Sequence, residues 1–123
     1  METPSIENVE AVVAIYGSWP AFHDAEVLSV ELHRGGAGNA PTLELVLADV
    51  DGPTRDSWRV ALRFTGIRAL ALDDFNEQNV LFDLQLSPLS DGSGWETVLA
   101  SSYGLSGVWE SSGIRVVSVT QLS

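Results

Sequence analysis

The feature that most constrains this chain is an alternation of apolar and polar side chains that returns over most of its length. Such alternation is typical of β-strands, because successive side chains point to opposite faces of a sheet. It predicts strands at residues 28–32, 43–47, 58–64, 67–72, 80–86, 95–101, 107–110 and 114–119. Short turns rich in Gly and Asp separate several of them, and such turns favour antiparallel neighbours, because parallel crossovers need a dozen or more residues.

One helix is predicted before the first of these strands, over residues 4–16. Four apolar residues in this segment recur at helical spacing, namely Ile6, Val9, Val13 and Tyr16. Gly17 then offers a natural C-terminal stop. We therefore expect an α+β fold, with one N-terminal helix packed on a twisted, largely antiparallel meander sheet of six to eight strands. At this length, residues 1–123 are expected to form a single domain.

The charge balance restricts the partners that the chain can have. Seventeen acidic residues stand against six basic ones, which gives a formal net charge of −11 at pH 7. This field repels nucleic-acid phosphates and anionic lipids, so we expect neither nucleic acid nor a membrane as partner. It attracts a basic protein and speeds the encounter with it. The first residues lack the basic and apolar regions of a signal peptide, and the chain has no cysteine, so we expect a cytoplasmic protein.

Three apparent motifs lack the spacing that their chemistry requires. Residues 49–52 resemble the start of a calcium-binding loop, but the glycine comes two positions early and Val60 stands where a bidentate Glu is needed. The glycine-rich run at 35–38 precedes a strand rather than a helix, so it does not form a phosphate-binding loop. Ser106 lies outside the spacing of a nucleophile elbow. We therefore expect no cofactor.

Residues 19–26, Trp-Pro-Ala-Phe-His-Asp-Ala-Glu, crowd together more chemically capable side chains than any other segment. Two enzymatic interpretations stay open here, a metal site and a paired-carboxylate hydrolase. The candidate residues are His23, Asp24, Glu26 and His33 for the metal, and the pairs Asp24 with Glu26 and Asp73 with Asp74 for the hydrolase. Neither arrangement has diagnostic spacing. The commoner role of such side chains is to hydrogen-bond the backbone at the start of a strand.

The same octapeptide resembles the Phe-His-Asp-Ala-Glu signature of the Immunity protein 50 family. Residues 75–80 (Phe-Asn-Glu-Gln-Asn-Val) and 103–107 (Tyr-Gly-Leu-Ser-Gly) resemble the middle and C-terminal blocks of that family. The resemblance spans nearly the whole chain. It implies a small immunity protein of a bacterial polymorphic toxin system, which binds and neutralises a cognate toxin without catalysis. The acidity of the chain suits a basic toxin, such as a nuclease domain.

Under that resemblance, the signature residues Trp19, Phe22, His23, Asp24 and Glu26 are expected to hold the fold rather than the toxin. Trp19 and Phe22 should be buried under the helix, and Asp24 should hydrogen-bond the backbone or His23. The candidate toxin-binding residues are carboxylates in two loops, Asp49, Asp51 and Asp56 in one and Asp73, Asp74 and Glu77 in the other. Two alternatives remain: a self-assembling module that forms a homodimer through an edge strand at 114–119, and a small metal- or carboxylate-dependent hydrolase.

Overall fold

The computed structural model describes residues 5–49 and 56–122. Within them the chain forms nine strands and one helix. In chain order these are β1 (Ile6–Glu7), α1 (Glu10–Tyr16), β2 (Glu26–His33), β3 (Thr42–Asp49), β4 (Trp58–Thr65), β5 (Arg68–Asp73), β6 (Val80–Pro88), β7 (Trp95–Tyr103), β8 (Ser106–Ser111) and β9 (Gly113–Gln121). All eight predicted strands are present. In the described part of the chain, no helix is long and apolar enough to span a membrane.

The strands form one mixed sheet in the order β1-β9-β4-β3-β2-β6-β7-β8-β5. Every neighbouring pair is antiparallel except β1 with β9, which is parallel. The predicted meander of six to eight strands is wrong in both size and order. Strands β4, β3 and β2 form one meander and β6, β7 and β8 another, but β9, β1 and β5 join neighbours that are distant in the chain.

The sheet curls so that its two halves face each other across a common core. The first half is β1-β9-β4-β3-β2 and the second is β6-β7-β8-β5. Phe64 of β4 meets Trp109 of β8 edge to face, with ring centroids 5.1 Å apart, and both side chains are buried. Such a pair stabilises a core by about 0.5–1.5 kcal/mol beyond the area that it buries. The core therefore lies between the halves, where the alternating apolar residues of both converge.

The helix is shorter than predicted, and a strand precedes it. Residues Ile6–Glu7 pair with β9, and α1 begins only at Glu10. Asn8 separates the two elements, because its φ of 62° is left-handed and cannot continue a right-handed helix. Val12, rather than Val13, is the fully buried residue of α1. Residue 4, with which the predicted helix was to begin, lies outside the described residues.

The predicted alternation in β6 is also interrupted. The register between β6 and β7 shifts on both sides of Leu81, which marks a bulge. As a result Leu81 is buried, whereas Phe82, which the strict alternation places in the core, is 54% exposed. The bulge turns this aromatic ring outward.

Strand β9 is not the terminal strand that the sequence suggested. It lies between β4 and β1, and β1 covers its first part at Ile114 and Arg115. The side-chain amide of Asn8 donates a hydrogen bond to the carbonyl of Val116 at 3.0 Å, which extends this cover by one residue. At the other end of the sheet the terminal strand is β5.

Candidate functional site

The octapeptide at 19–26 forms the seam between the two halves of the sheet. Strands β2 and β6 share one register pair, Glu26 with Val80, and main-chain hydrogen bonds continue the pairing backwards into the octapeptide. The N–H of Asp24 donates to the carbonyl of Leu81 at 2.9 Å, and the N–H of Leu81 donates to the carbonyl of Ala25 at 2.8 Å. The segment therefore joins the halves through its backbone, whatever its side chains do.

The aromatic side chains of this segment pack towards the core. Phe22 is buried and meets Tyr16 and Trp19 edge to face, with centroid distances of 5.8 and 5.9 Å. Trp19 is half-buried against the same cluster. The Tyr16 hydroxyl donates a hydrogen bond to Asp49 at 2.8 Å, which fixes α1 to the end of β3.

The polar side chains of the segment face solvent. His23 Nδ1 lies 3.1 Å from Asp24 Oδ2, and the Asp24 side chain is 74% exposed. The His23 ring packs edge to face on Phe82 at 5.3 Å. Asp24 is exposed, so its carboxylate is not a buried polar group that needs a partner. Its backbone has the left-handed φ of 66°, which Asp tolerates better than most residues.

A buried amide, Asn79, connects three separate segments next to this seam. Its side-chain oxygen accepts the backbone N–H groups of Asn76 and Leu105, both at 2.9 Å, and its side-chain nitrogen donates to the carbonyl of Asn76 at 2.8 Å. Its own carbonyl accepts the N–H of Val27 in β2 at 2.8 Å. Asn79 is 3% exposed, so these bonds are shielded from water and rigidify the junction.

The segments that Asn79 joins form the floor and one wall of an open apolar cleft. The cleft has a volume of about 260 Å³ and lies between β2 and the end of β5. Its apolar lining consists of Val30, Leu32, Leu72, Phe75 and Leu105. Leu105 is buried, whereas Phe75 is 60% and Leu32 is 51% exposed. We call this feature the apolar cleft.

Two carboxylates, Asp73 and Asp74, line the same cleft and form its acidic rim. Both are exposed, and Asp74 has a left-handed φ of 60°. Neither takes part in an ion pair within the described residues. An uncompensated negative charge therefore lies beside exposed apolar side chains.

Three arginines of the described chain pair with carboxylates away from the cleft. On the outer face of the first half, Arg63 bonds Glu44 at 3.2 Å and Arg115 lies 3.8 Å from Glu7, around a larger polar groove. On the second half, Arg68 bonds Glu110 at 2.8 Å. Each of these arginines has its own carboxylate, so none offsets the acidic rim.

Comparison with known proteins gives the chain a family. The sequence model of Immunity protein 50 matches residues 8–122. The chain belongs to the Immunity protein 50 family. Comparisons with curated proteins and with solved structures returned no match. Membership implies an immunity-protein function, and the resemblance seen in the three sequence blocks is thereby confirmed.

In this member of the family, the three blocks that carry the resemblance meet at one place. Asn79 belongs to the middle block and Leu105 to the C-terminal block, and the octapeptide runs into β2, where Val27 bonds the carbonyl of Asn79. The blocks are scattered in the sequence but contiguous in the fold. They build the junction that supports the apolar cleft.

The remaining candidate residues are dispersed. Of the predicted toxin-binding carboxylates, Asp73 and Asp74 line the cleft and Glu77 is exposed on the loop that follows β5. Asp49 is half-buried and bonds Tyr16, and Asp56 is exposed just before β4. Asp51 lies outside the described residues.

The candidate metal ligands do not converge in the described part of the chain, where no group of three or more His, Asp or Glu side chains could hold an ion. His33 bonds Glu31 at 2.7 Å, whereas His23 contacts Asp24 and Phe82. The two histidines thus belong to separate contacts.

The apolar half of the cleft was not predicted from the sequence. The alternation in β2 places Val30 and Leu32 on the core face, and their register partners Leu45 and Leu43 are indeed buried. Nothing in the local pattern shows that the other half of the sheet leaves them uncovered. Phe75, an aromatic residue between acidic and polar neighbours, was the one local signal of an exposed anchor.

Proposed function

We propose that this chain is a cytoplasmic immunity protein that binds a cognate protein toxin with a basic surface and inhibits it without catalysis. Family membership supports the general function. The observation that carries the proposal is the acidic rim of Asp73 and Asp74, which has no ion-pair partner among the described residues and lies beside exposed apolar side chains. That combination is typical of a protein-binding surface and not of a solvated face.

The net charge of −11 supports a basic toxin. A protein that binds nucleic acid needs a cationic surface, and an acidic protein that covers this surface competes with the phosphate backbone. A nuclease domain is therefore the toxin class that we propose. Attraction between opposite charges also raises the association rate, so an inhibitor can reach the toxin before the toxin reaches its substrate.

The test uses the protein encoded by the neighbouring gene, purified with its catalytic activity blocked. We expect isothermal titration calorimetry to show a one-to-one complex, and addition of this chain to the active toxin to abolish nucleic-acid cleavage. An unrelated acidic protein of similar net charge is the control, because it separates specific binding from bulk electrostatic attraction.

Two outcomes would contradict the proposal, one its immunity function and the other its basic contact surface. Failure to bind or protect would refute the immunity function for that toxin. Tight binding that does not weaken as ionic strength rises would refute the basic contact surface, since exposed charges are screened by salt.

A further inference from the structure

We propose that the apolar cleft is the docking site for the toxin, and that it receives a large apolar side chain flanked by arginine or lysine. This inference rests on the proposed function and names the surface that performs it. Four features of the cleft support this role: its uncovered lining, its open strand edges, its rigid floor and its charged rim.

The lining of the cleft is a piece of core face that no other element covers within residues 5–49 and 56–122. Leu32 pairs in register with Leu43, which is fully buried, yet Leu32 itself is 51% exposed. Leu72 in β5 lies opposite Gly107 and also retains exposure. Burying apolar surface away from water is favourable. A partner side chain that fills the gap therefore buries its own apolar surface and that of the cleft lining.

Open strand edges flank the same gap. Strand β2 pairs with β6 only at Glu26, so the edge of β2 beyond the bulge at Leu28 has no neighbouring strand in the described chain. Strand β5 is the last strand at this end of the sheet and, among the described residues, pairs only with β8. Unpaired peptide groups on such edges accept an added segment through main-chain hydrogen bonds.

The floor of the cleft is rigid before any partner arrives. The N–H of Leu105 bonds the buried Asn79, and Asn79 also holds Asn76, the residue after Phe75. One amide therefore fixes both the floor of the cleft and the backbone next to Phe75. A preorganised surface loses less conformational entropy on binding than a mobile loop does.

The size and charge of the cleft determine its occupant. About 260 Å³ is below the range of roughly 300–1,000 Å³ that is usual for small-molecule sites, which favours a side-chain anchor. Asp73 and Asp74 stand at the rim without a cationic partner among the described residues, so cations beside the anchor complete the contact. A segment of a basic toxin satisfies both requirements.

The experiment compares three single variants by calorimetry against the neighbouring gene product. Phe75→Ser and Leu32→Ser remove exposed apolar side chains from the cleft. Phe82→Ser removes an equally exposed aromatic ring that lies outside the cleft, next to His23, and is the matched control. Thermal unfolding and near-ultraviolet circular dichroism verify that each variant keeps the wild-type fold.

We expect each cleft variant to bind about 10- to 100-fold more weakly, the range of an interface hot spot, and the Phe82→Ser variant to bind like the wild type. If the wild type binds and both cleft variants bind with the same affinity, the docking site is refuted while the immunity function is not. Absence of wild-type binding would refute the proposed function and this inference with it. Equal weakening in Phe82→Ser would place the contact across a wider surface and also overturn the inference.

Discussion

Asn79 holds Leu105 in place, through a hydrogen bond of 2.9 Å from the backbone N–H of Leu105 to the side-chain oxygen of Asn79. The two residues are 26 positions apart and belong to different loops. Since Leu105 is the floor of the apolar cleft, this bond couples the stability of the fold to the shape of the proposed binding surface.

Replacing Asn79 with Ala should destabilise the protein by about 2–4 kcal/mol, because it leaves the N–H groups of Asn76 and Leu105 and one carbonyl without a partner. Equilibrium unfolding in urea measures the change. The control is Asn39→Ala, at an exposed position in the β2–β3 loop, which should change stability by less than about 0.5 kcal/mol. Equal effects of the two substitutions would contradict the role assigned to Asn79.

Gly104 brings the C-terminal block close enough to reach Asn79. Its φ is +82°, and a Cβ at this position would lie 2.5 Å from the carbonyl oxygen of Gln78 and 2.6 Å from the side-chain oxygen of Asn79. Gly17 has nearly the same φ, +81°, but its Cβ would meet no atom within 4 Å. Both Gly→Ala changes cost the left-handed backbone penalty of about 1–2 kcal/mol. We expect Gly104→Ala to lose at least about 1 kcal/mol more, since clashes with the Gln78 carbonyl and the buried Asn79 amide are added.

The difference between these two alanine variants is measured by urea unfolding under identical conditions. It isolates the steric contact, because the backbone conformation is matched. If the two proteins unfold at the same urea concentration, the close approach of Gly104 to Asn79 does not matter for stability.

The strands were predictable from sequence because alternation is a local pattern, and residues such as Leu43, Leu45 and Leu47 repeat it without interruption. Strand β1 was not, because two residues cannot show a period and its pairing with β9 joins opposite ends of the chain. The bulge that exposes Phe82 was not predictable either, because the register of β6 is set by its partner strand β7 and not by the local sequence.

For the candidate site, the acidic rim at Asp73 and Asp74 was predictable from charge, but its apolar neighbours were not. Their exposure depends on how far the second half of the sheet extends over β2, which is a property of the tertiary fold. The family that the signature at residues 19–26 suggested is the one whose sequence model matches residues 8–122. Its contribution through backbone pairing to β6 appears only in the structure.

Thr97 has a fully buried hydroxyl that finds no hydrogen-bond partner in the described part of the chain. Replacing it with Val keeps the β-branched shape and removes the polar atom, so we expect stability to be unchanged or to rise by about 1 kcal/mol. Ser101→Ala is the control, because the Ser101 hydroxyl donates to the carbonyl of Gly104 at 3.0 Å and its loss should cost about 0.5–1.5 kcal/mol. A clear loss of stability in Thr97→Val, measured by urea unfolding, would indicate that this hydroxyl is bonded after all.

Tyr16 should make the protein sensitive to alkaline pH. Burial raises the pKa of its phenol well above the ordinary value of 10.0, and the hydrogen bond and negative charge of Asp49 raise it further. The neutral phenol is therefore favoured in the folded state. The stabilisation is fully present below pH 10 and is lost as pH rises from there through the folded-state pKa.

The titration can be followed by near-ultraviolet absorbance in a Tyr103→Phe variant, in which Tyr16 is the remaining tyrosine of the two. We expect the folded protein to titrate above pH 10 and the urea-unfolded protein to titrate near the ordinary value. A Tyr16→Phe protein should lose less stability between about pH 9 and pH 11 than the wild type does. Coincident titration of folded and unfolded protein would contradict the buried contact with Asp49.

Neutralising the acidic rim should slow toxin association more than it speeds dissociation. In the double variant Asp73→Asn/Asp74→Asn, two exposed charges that line the cleft are removed with little change in shape. Because exposed charges steer the encounter, we expect the association rate at low ionic strength to fall about 3- to 10-fold, with a smaller change in the dissociation rate. The double variant Glu10→Gln/Glu96→Gln has the same net charge but alters exposed positions outside the cleft, so its association rate should fall less. Stopped-flow measurements at several ionic strengths show whether the acidic rim or the net charge of the whole protein steers association. Equal slowing in both variants assigns the steering to net charge. Greater slowing in the cleft variant assigns it to Asp73 and Asp74.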